Sequence, residues 1–164
     1  MSVIQAAIQV KMKSKIGPMY LVASDKGLHG VFWKETKAPY RNKQHQGRAV
    51  EILNETQIQL EQYLDGKRKS FDLPLDVQGT SFQKQVWNEL SKIPYGKTYS
   101  YSDIAKKIKN DKAVRAVGTA NGRNPLSLIV PCHRVIAADG TLGGYAGGLF
   151  IKEKLLHLEQ TGSL

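Results

Sequence analysis

Residues 128–136 read LIVPCHRVI, an apolar run interrupted by Pro131, Cys132, His133 and Arg134. No other stretch constrains the fold as much. Flanks this apolar have to be buried, and they carry an imidazole and a guanidinium inside with them. Burying either group costs free energy unless a partner is built alongside. The rest of the chain must therefore supply polar and charged groups around this step. Cys132 is the only cysteine among 164 residues, which excludes an internal disulfide and a multi-thiolate zinc site. Two readings of it stand: a small buried side chain, or a nucleophile activated by its surroundings. Adjacency alone neither proves nor excludes contact with His133. Neighbours on a strand diverge, a sharp step after Pro131 could bring them together, and a water could relay a proton.

The chain around this run divides in two. Residues 3–10 (VIQAAIQV) and 19–33 (MYLVASDKGLHGVFW) alternate or are rich in β-branched and aromatic residues. Turn signals at Gly17-Pro18 and Asp25-Lys26-Gly27 predict a meander or hairpin. Residues 35–47 read as a loop, and Ala49–Leu64 as a helix with Val50, Leu53, Ile58, Leu60 and Leu64 as its apolar positions. Residues 64–79, LDGKRKSFDLPLDVQG, read as a connection between units. The second unit opens with Thr80 as a helix cap, ahead of Phe82, Val86, Trp87 and Leu90. Residues 126–137 are expected as a strand or buried segment. DGTLGGYAGG (139–148) is a glycine-rich loop without the Lys-Ser/Thr of a phosphate loop. It suits a close backbone approach to something flat, or a turn. A helix, LFIKEKLLHLEQ, follows it.

Between these elements lies TYSYSDIAKKIKNDKAVRAVGTANGRNP. Ser100 or Ser102 caps a short helix with Ile104, Ala105 and Ile108 inside. A tight turn leads to a second helix with Ala113, Val114, Val117 and Ala120 inside. This is the pattern of a helix-turn-helix. From Lys97 to Arg134, eight basic residues meet only Asp103 and Asp111. Such a run is either a solvated face or a surface for a polyanion, since each neutralised phosphate releases counterions. No apolar run approaches the ~20 residues of a membrane span. The first residues carry lysines where a signal peptide is unbroken and apolar, so a cytoplasmic chain with no membrane partner is expected. His29, His45, His133 and His157 show no metal-ligand spacing. No metal and no cofactor are expected.

Taken together, GTSFQKQVW, IPYGKTYSYSDIA, AVRAVGTANGRNP, IVPCHRVI, GYAGG and KEKLLHLE resemble the O6-alkylguanine–DNA alkyltransferases, or methylated-DNA–protein-cysteine methyltransferases. The resemblance is dense over about residues 79–160. Over residues 1–78 it rests only on size and a β-then-helix layout. It implies an α+β chain, with a ribonuclease H-like sheet-and-helix unit over 1–78. A mostly helical, winged helix-turn-helix unit follows over 79–164. It also implies a monomer that repairs double-stranded DNA carrying O6-alkylguanine, and O4-alkylthymine with it, by moving the alkyl group to its own cysteine once. The flipped base would enter a pocket, with the helix-turn-helix docked in the minor groove.

Residue by residue, Cys132 matches the acceptor, and His133 the histidine that takes its proton through water. Glu159 matches the glutamate behind that histidine. Asn124 matches the asparagine bracing the turn, and Tyr101 the donor to the departing guanine. Arg115 matches the arginine that replaces the extruded nucleotide. Ala116, Thr119, Ala120, Gly122, Arg123 and Arg134 are expected with it at the DNA. Tyr145, Ala146, Gly147, Val135 and Trp87 are expected around the base. The small residues of the second helix permit close approach to a narrow groove. Phosphate contacts with little base readout suit a protein that inspects any sequence.

The implied chemistry is coherent. A thiolate displaces guanine in line from an sp3 carbon, the leaving charge is met by hydrogen-bond donors, and a side chain filling the gap offsets part of the cost of base extrusion. Ala146 stands where some relatives carry a serine that bonds the base, and the first unit lacks the zinc-ligand cysteines of others. Two further readings remain at this stage. One is a DNA-binding module or lesion sensor with a structural cysteine. The other is a cysteine hydrolase using Cys132 and His133, for which no second triad segment is recognisable.

Overall fold

The computed structural model describes residues 7–164, so the expected strand positions 3–6 lie outside the described residues. The chain forms two compact units, Met1–Gln78 and Gly79–Leu164.

In the first, β1 (Ile8–Met12), β2 (Met19–Ser24) and β3 (Gly27–Phe32) form an antiparallel meander in the order β1-β2-β3. The register runs from Ile8 opposite Ala23 to Met12 opposite Met19, and a bulge at Val22/Ala23 interrupts the β2–β3 ladder. The helix α1 (Arg48–Leu64) packs on this sheet. Its buried stripe is Ala49, Ile52, Leu53, Thr56, Gln59, Leu60, Tyr63 and Leu64. That stripe follows the 3.6-residue period and corrects the expected one: Ile58 falls on the solvent side, 48% exposed. The connecting segment is also more ordered than a linker. Leu28 N–H donates to Pro74 O at 2.8 Å and Asp76 N–H to Leu28 O at 2.9 Å, so the segment pairs with β3. The Gln59 carboxamide holds Asp72 through both its N–H and its oxygen.

The second unit begins at a capping box, in which the Thr80 side chain accepts from Gln83 N–H and the Gln83 side chain returns the bond. That signal is local, and α2 (Ser81–Leu90) starts where it predicts. Gly79 is required beside it, because a Cβ there would sit 2.6 Å from the Trp87 ring. A second capping box, Ser100 with Asp103, opens α3 (Tyr101–Lys107) directly after β4 (Tyr99–Ser100). Lys109, at φ 58°, makes the turn, and a 3-10 turn at Asp111–Ala113 leads into α4 (Val114–Gly122). Both α2 and α3 pack on α4. Val114 is exposed rather than inside, and Asn121 joins Val117 and Ala120 on the buried face.

The reactive segment is not a continuous strand. Ile129 N–H reaches Ser127 O at 2.8 Å around Leu128, whose φ is 69°, and Cys132 N–H reaches Val130 O at 2.7 Å around Pro131. These are two γ-turns in close succession, the first of the rare positive-φ kind. A 3-10 turn at Cys132–Arg134 follows, and then β5 (Val135–Ile136), paired in parallel with β4. The loop 137–148 leads to α5 (Leu149–Thr161), which packs on the Cys132–Arg134 turn and ends at Gly162 in the left-handed conformation. Among the described residues no helix is long and apolar enough to cross a membrane.

Candidate active site

Cys132, His133 and Arg134 are all buried, with 3%, 0% and 7% of their surface exposed. Their partner is Glu159, two turns beyond Lys152 on α5. His133 Nε2 donates to Glu159 Oε2 at 2.7 Å. Arg134 grips the same carboxylate with Nε on Oε1 at 2.8 Å and Nη2 on Oε2 at 2.9 Å, and its Nη1 donates to Ile93 O. Gly96 N–H adds a fourth bond to Oε1 at 3.1 Å. Burial alone would raise the Glu159 pKa; the His133 and Arg134 bonds outweigh it and hold the carboxyl well below the usual carboxylate range. Burial pushes the His133 pKa down despite Glu159, so the imidazole rests neutral. With Nε2–H committed to an anion, Nδ1 is the basic nitrogen.

Burial also pushes the Cys132 thiol up, with the Asn124 side chain and Lys152 offsetting part of the rise. The residue therefore rests as a thiol and needs a base to become a nucleophile. Asn124 shapes the turn around it: Nδ2 donates to Val130 O at 2.8 Å and Oδ1 accepts from Leu126 N–H at 3.0 Å. Tyr101 and Tyr145 both lie near enough to Cys132 for a thiolate there to raise their pKa values, though burial is the larger cause for each. The glycine-rich loop runs against Tyr101 Oη. The loop passes so close that a Cβ on Gly143 would stand 2.6 Å from that oxygen. The glycine-rich loop is thus a close backbone approach to a flat ring, the first of its two expected uses.

A 6-O-methylguanine DNA methyltransferase DNA-binding domain matches residues 81–161, and the ribonuclease-like domain of the same proteins matches residues 9–77. A methylated-DNA–protein-cysteine methyltransferase of Methanosarcina mazei is 52% identical over 151 residues, covering 91% of this chain and 94% of the relative. The chain belongs to the methylated-DNA–protein-cysteine methyltransferase family. The constitutive enzyme of that name from Bacillus subtilis is 49% identical over 131 residues, covering 79% of this chain and 76% of its own. Among solved structures, Mycobacterium tuberculosis OGT in complex with DNA superposes with a TM-score of 0.83 at 39% identity, covering 93% of this chain and 92% of its own. The small sheet followed by a helical DNA-binding unit is the architecture of these methyltransferases.

Within this methyltransferase fold, Cys132, His133, Glu159, Asn124, Tyr101 and Tyr145 come together. Arg115, Ala116, Thr119, Gly122 and Arg123 lie exposed along and just beyond α4, one face of a basic helix pair. Two residues expected at the DNA are instead interior. Arg134 is committed to Glu159, because a buried carboxylate needs a counter-charge more than the surface needs one more cation. Ala120 is buried, and its carbonyl takes the Trp87 indole N–H at 2.8 Å. That bond ties Trp87, expected at the base, to the back of α4. Val135 is fully buried in the β4–β5 pair, Ala146 is exposed and Gly147 half-buried on the loop.

Sequence reasoning passed over two polar residues. Asn121 is buried on α4 and donates through Nδ2 to Cys132 O at 3.3 Å. Lys152 is fully buried on α5. Both sit on apolar stripes, at 117/120/121 and 152/155/158/159. A polar residue in phase with a buried stripe was the available signal.

Proposed function

We propose that Cys132 accepts the alkyl group of O6-alkylguanine in duplex DNA, once per molecule. The observation that carries this reading is the buried cysteine beside a neutral histidine whose far nitrogen is held by an ionised, arginine-paired glutamate. Successive side chains on a 3-10 turn point about 120° apart. The family resemblance implies that the thiol proton passes to His133 Nδ1 through a water, which side chains so diverged can accommodate. The thiolate attacks the alkyl carbon in line, a C–S bond forms and the C–O bond breaks. Guanine leaves as an anion met by the Tyr101 hydroxyl. The product is a thioether, which no group here can cleave, so turnover stops at one.

Arg115 fills the gap left by the extruded nucleotide, with Ala116, Thr119, Gly122 and Arg123 against the backbone. O4-alkylthymine as a second substrate and a cytoplasmic, DNA-associated location belong to the same reading; a reducing compartment keeps the single thiol available. The test is the intact mass after mixing with duplex DNA bearing O6-methylguanine. A gain of one CH2 on Cys132, with product never exceeding protein, is expected, and Cys132→Ser shows no gain. Binding without a mass change would leave a lesion sensor, and product in excess of protein a turning-over hydrolase.

A further inference from the structure

Lys152 is fully buried, yet among the described residues no carboxylate stands within ion-pair distance of it. Its ammonium is ringed by backbone carbonyls: Val135 O at 2.7 Å, Gly144 O at 3.1 Å, and Leu142 O. A buried cation is costly unless its donors are satisfied, and here all three N–H groups have an acceptor. The acceptors are informative. Val135 directly follows the Cys132–Arg134 turn, while Leu142 and Gly144 bracket Gly143, the point where the loop runs against Tyr101. The backbone at Gly143 meets Tyr101 Oη, and the next carbonyl, Gly144 O, meets Lys152.

We propose that Lys152 is a positioning residue for alkyl transfer, fastening the loop 142–144 to the end of the reactive turn so that the backbone at Gly143 packs on the Tyr101 hydroxyl and holds it beside Cys132. The inference rests on the reading of Cys132 as acceptor and Tyr101 as donor to the leaving guanine. Without the ammonium, three carbonyls facing one another repel, and the loop lifts off Tyr101. Gly143 has no side chain with which to resist, and its φ of 71° favours glycine. A plain packing role fits poorly: a methionine or leucine would fill the space without the desolvation that pulls the Lys152 pKa down to about 8. The same charge lies within electrostatic reach of Cys132 and favours its thiolate.

The experiment compares single-turnover transfer by the full chain and by Lys152→Met, on duplex DNA bearing O6-methylguanine, with each protein also carrying Tyr101→Phe. Losing a positioned donor costs a factor of about 100 to 1000 when it is removed outright, so an indirect loss of at least about tenfold at saturating DNA is expected. The half-saturating DNA concentration should stay unchanged, because α4 is untouched. In the Tyr101→Phe background the Lys152→Met penalty should shrink below about threefold, since two residues acting through one hydroxyl are not additive. Lys152→Gln, which keeps two of the three N–H donors and loses the charge, supplies the same comparison if the methionine variant does not fold. Equal penalties in both backgrounds, or an unchanged rate, overturn the inference for Lys152 alone. Failure of the unaltered protein to gain a methyl group overturns the acceptor reading as well.

Discussion

Replacing Glu159 by Gln keeps the shape of the side chain and removes its charge. Its carboxylate accepts four hydrogen bonds, from His133 Nε2, Arg134 Nε, Arg134 Nη2 and Gly96 N–H. A carboxamide presents one acceptor and one donor, so in either orientation two of those four donors face an NH2 group. The guanidinium of Arg134, 7% exposed, then stands without its counter-charge. Breaking a buried pair from one side costs about 3–5 kcal/mol, a large part of the roughly 5–15 kcal/mol that holds a domain together. Urea unfolding followed by Trp87 fluorescence, with Trp33→Phe removing the other indole from every variant compared, should report a loss of that size. Adding Arg134→Met to Glu159→Gln should recover at least half of it, because an apolar replacement of a buried pair is close to neutral. Alkyl transfer should stay slow in both variants, since His133 has lost its anion. A loss under ~1 kcal/mol for Glu159→Gln, or no recovery on adding Arg134→Met, would refute the argument that this pair is structural as well as catalytic.

Two other outcomes follow from the same geometry. Gly143→Ala would drive a methyl to 2.6 Å from Tyr101 Oη and force a side chain into φ 71°; transfer should slow markedly while DNA affinity holds, and an unchanged transfer rate would contradict the close approach. Acid should destabilise the fold in two stages. His133 is held below its ordinary value of 6.5 by burial, and Glu159 below its ordinary 4.5, burial there being outweighed by its bonds to His133 and Arg134. The unfolded chain therefore binds more protons than the fold as pH drops through each ordinary value. Urea midpoints should fall below pH 6.5 and more steeply below 4.5, and a flat profile would count against the neutral His133 and ionised Glu159.

Much of the second unit was legible because its signals are local. A cap is a local signal, so Thr80 announces α2 from sequence, whereas Ser100 and Ser102 stand equal for α3 until the bonds with Asp103 choose Ser100. The order of motifs from Trp87 to Glu159 pointed to the family, and with it to the residues now seen around Cys132. The burial of His133 and Arg134 also followed from LIVPCHRVI, as did the need for a partner.

What the sequence could not assign was which partner each charge would find. Arg134, legible as buried and in need of a partner, is also expected at the DNA until α5 brings Glu159 against it from 25 residues away. Lys152 reads as a surface lysine until three carbonyls from two other segments close around it. Ile58 reads as one of the helix's apolar positions but lies outside the stripe that is buried. Periodicity and capping are settled within one or two turns of chain, and one sequence determines them. Desolvation and ion pairing depend on which surfaces meet, and only the packed tertiary structure decides those.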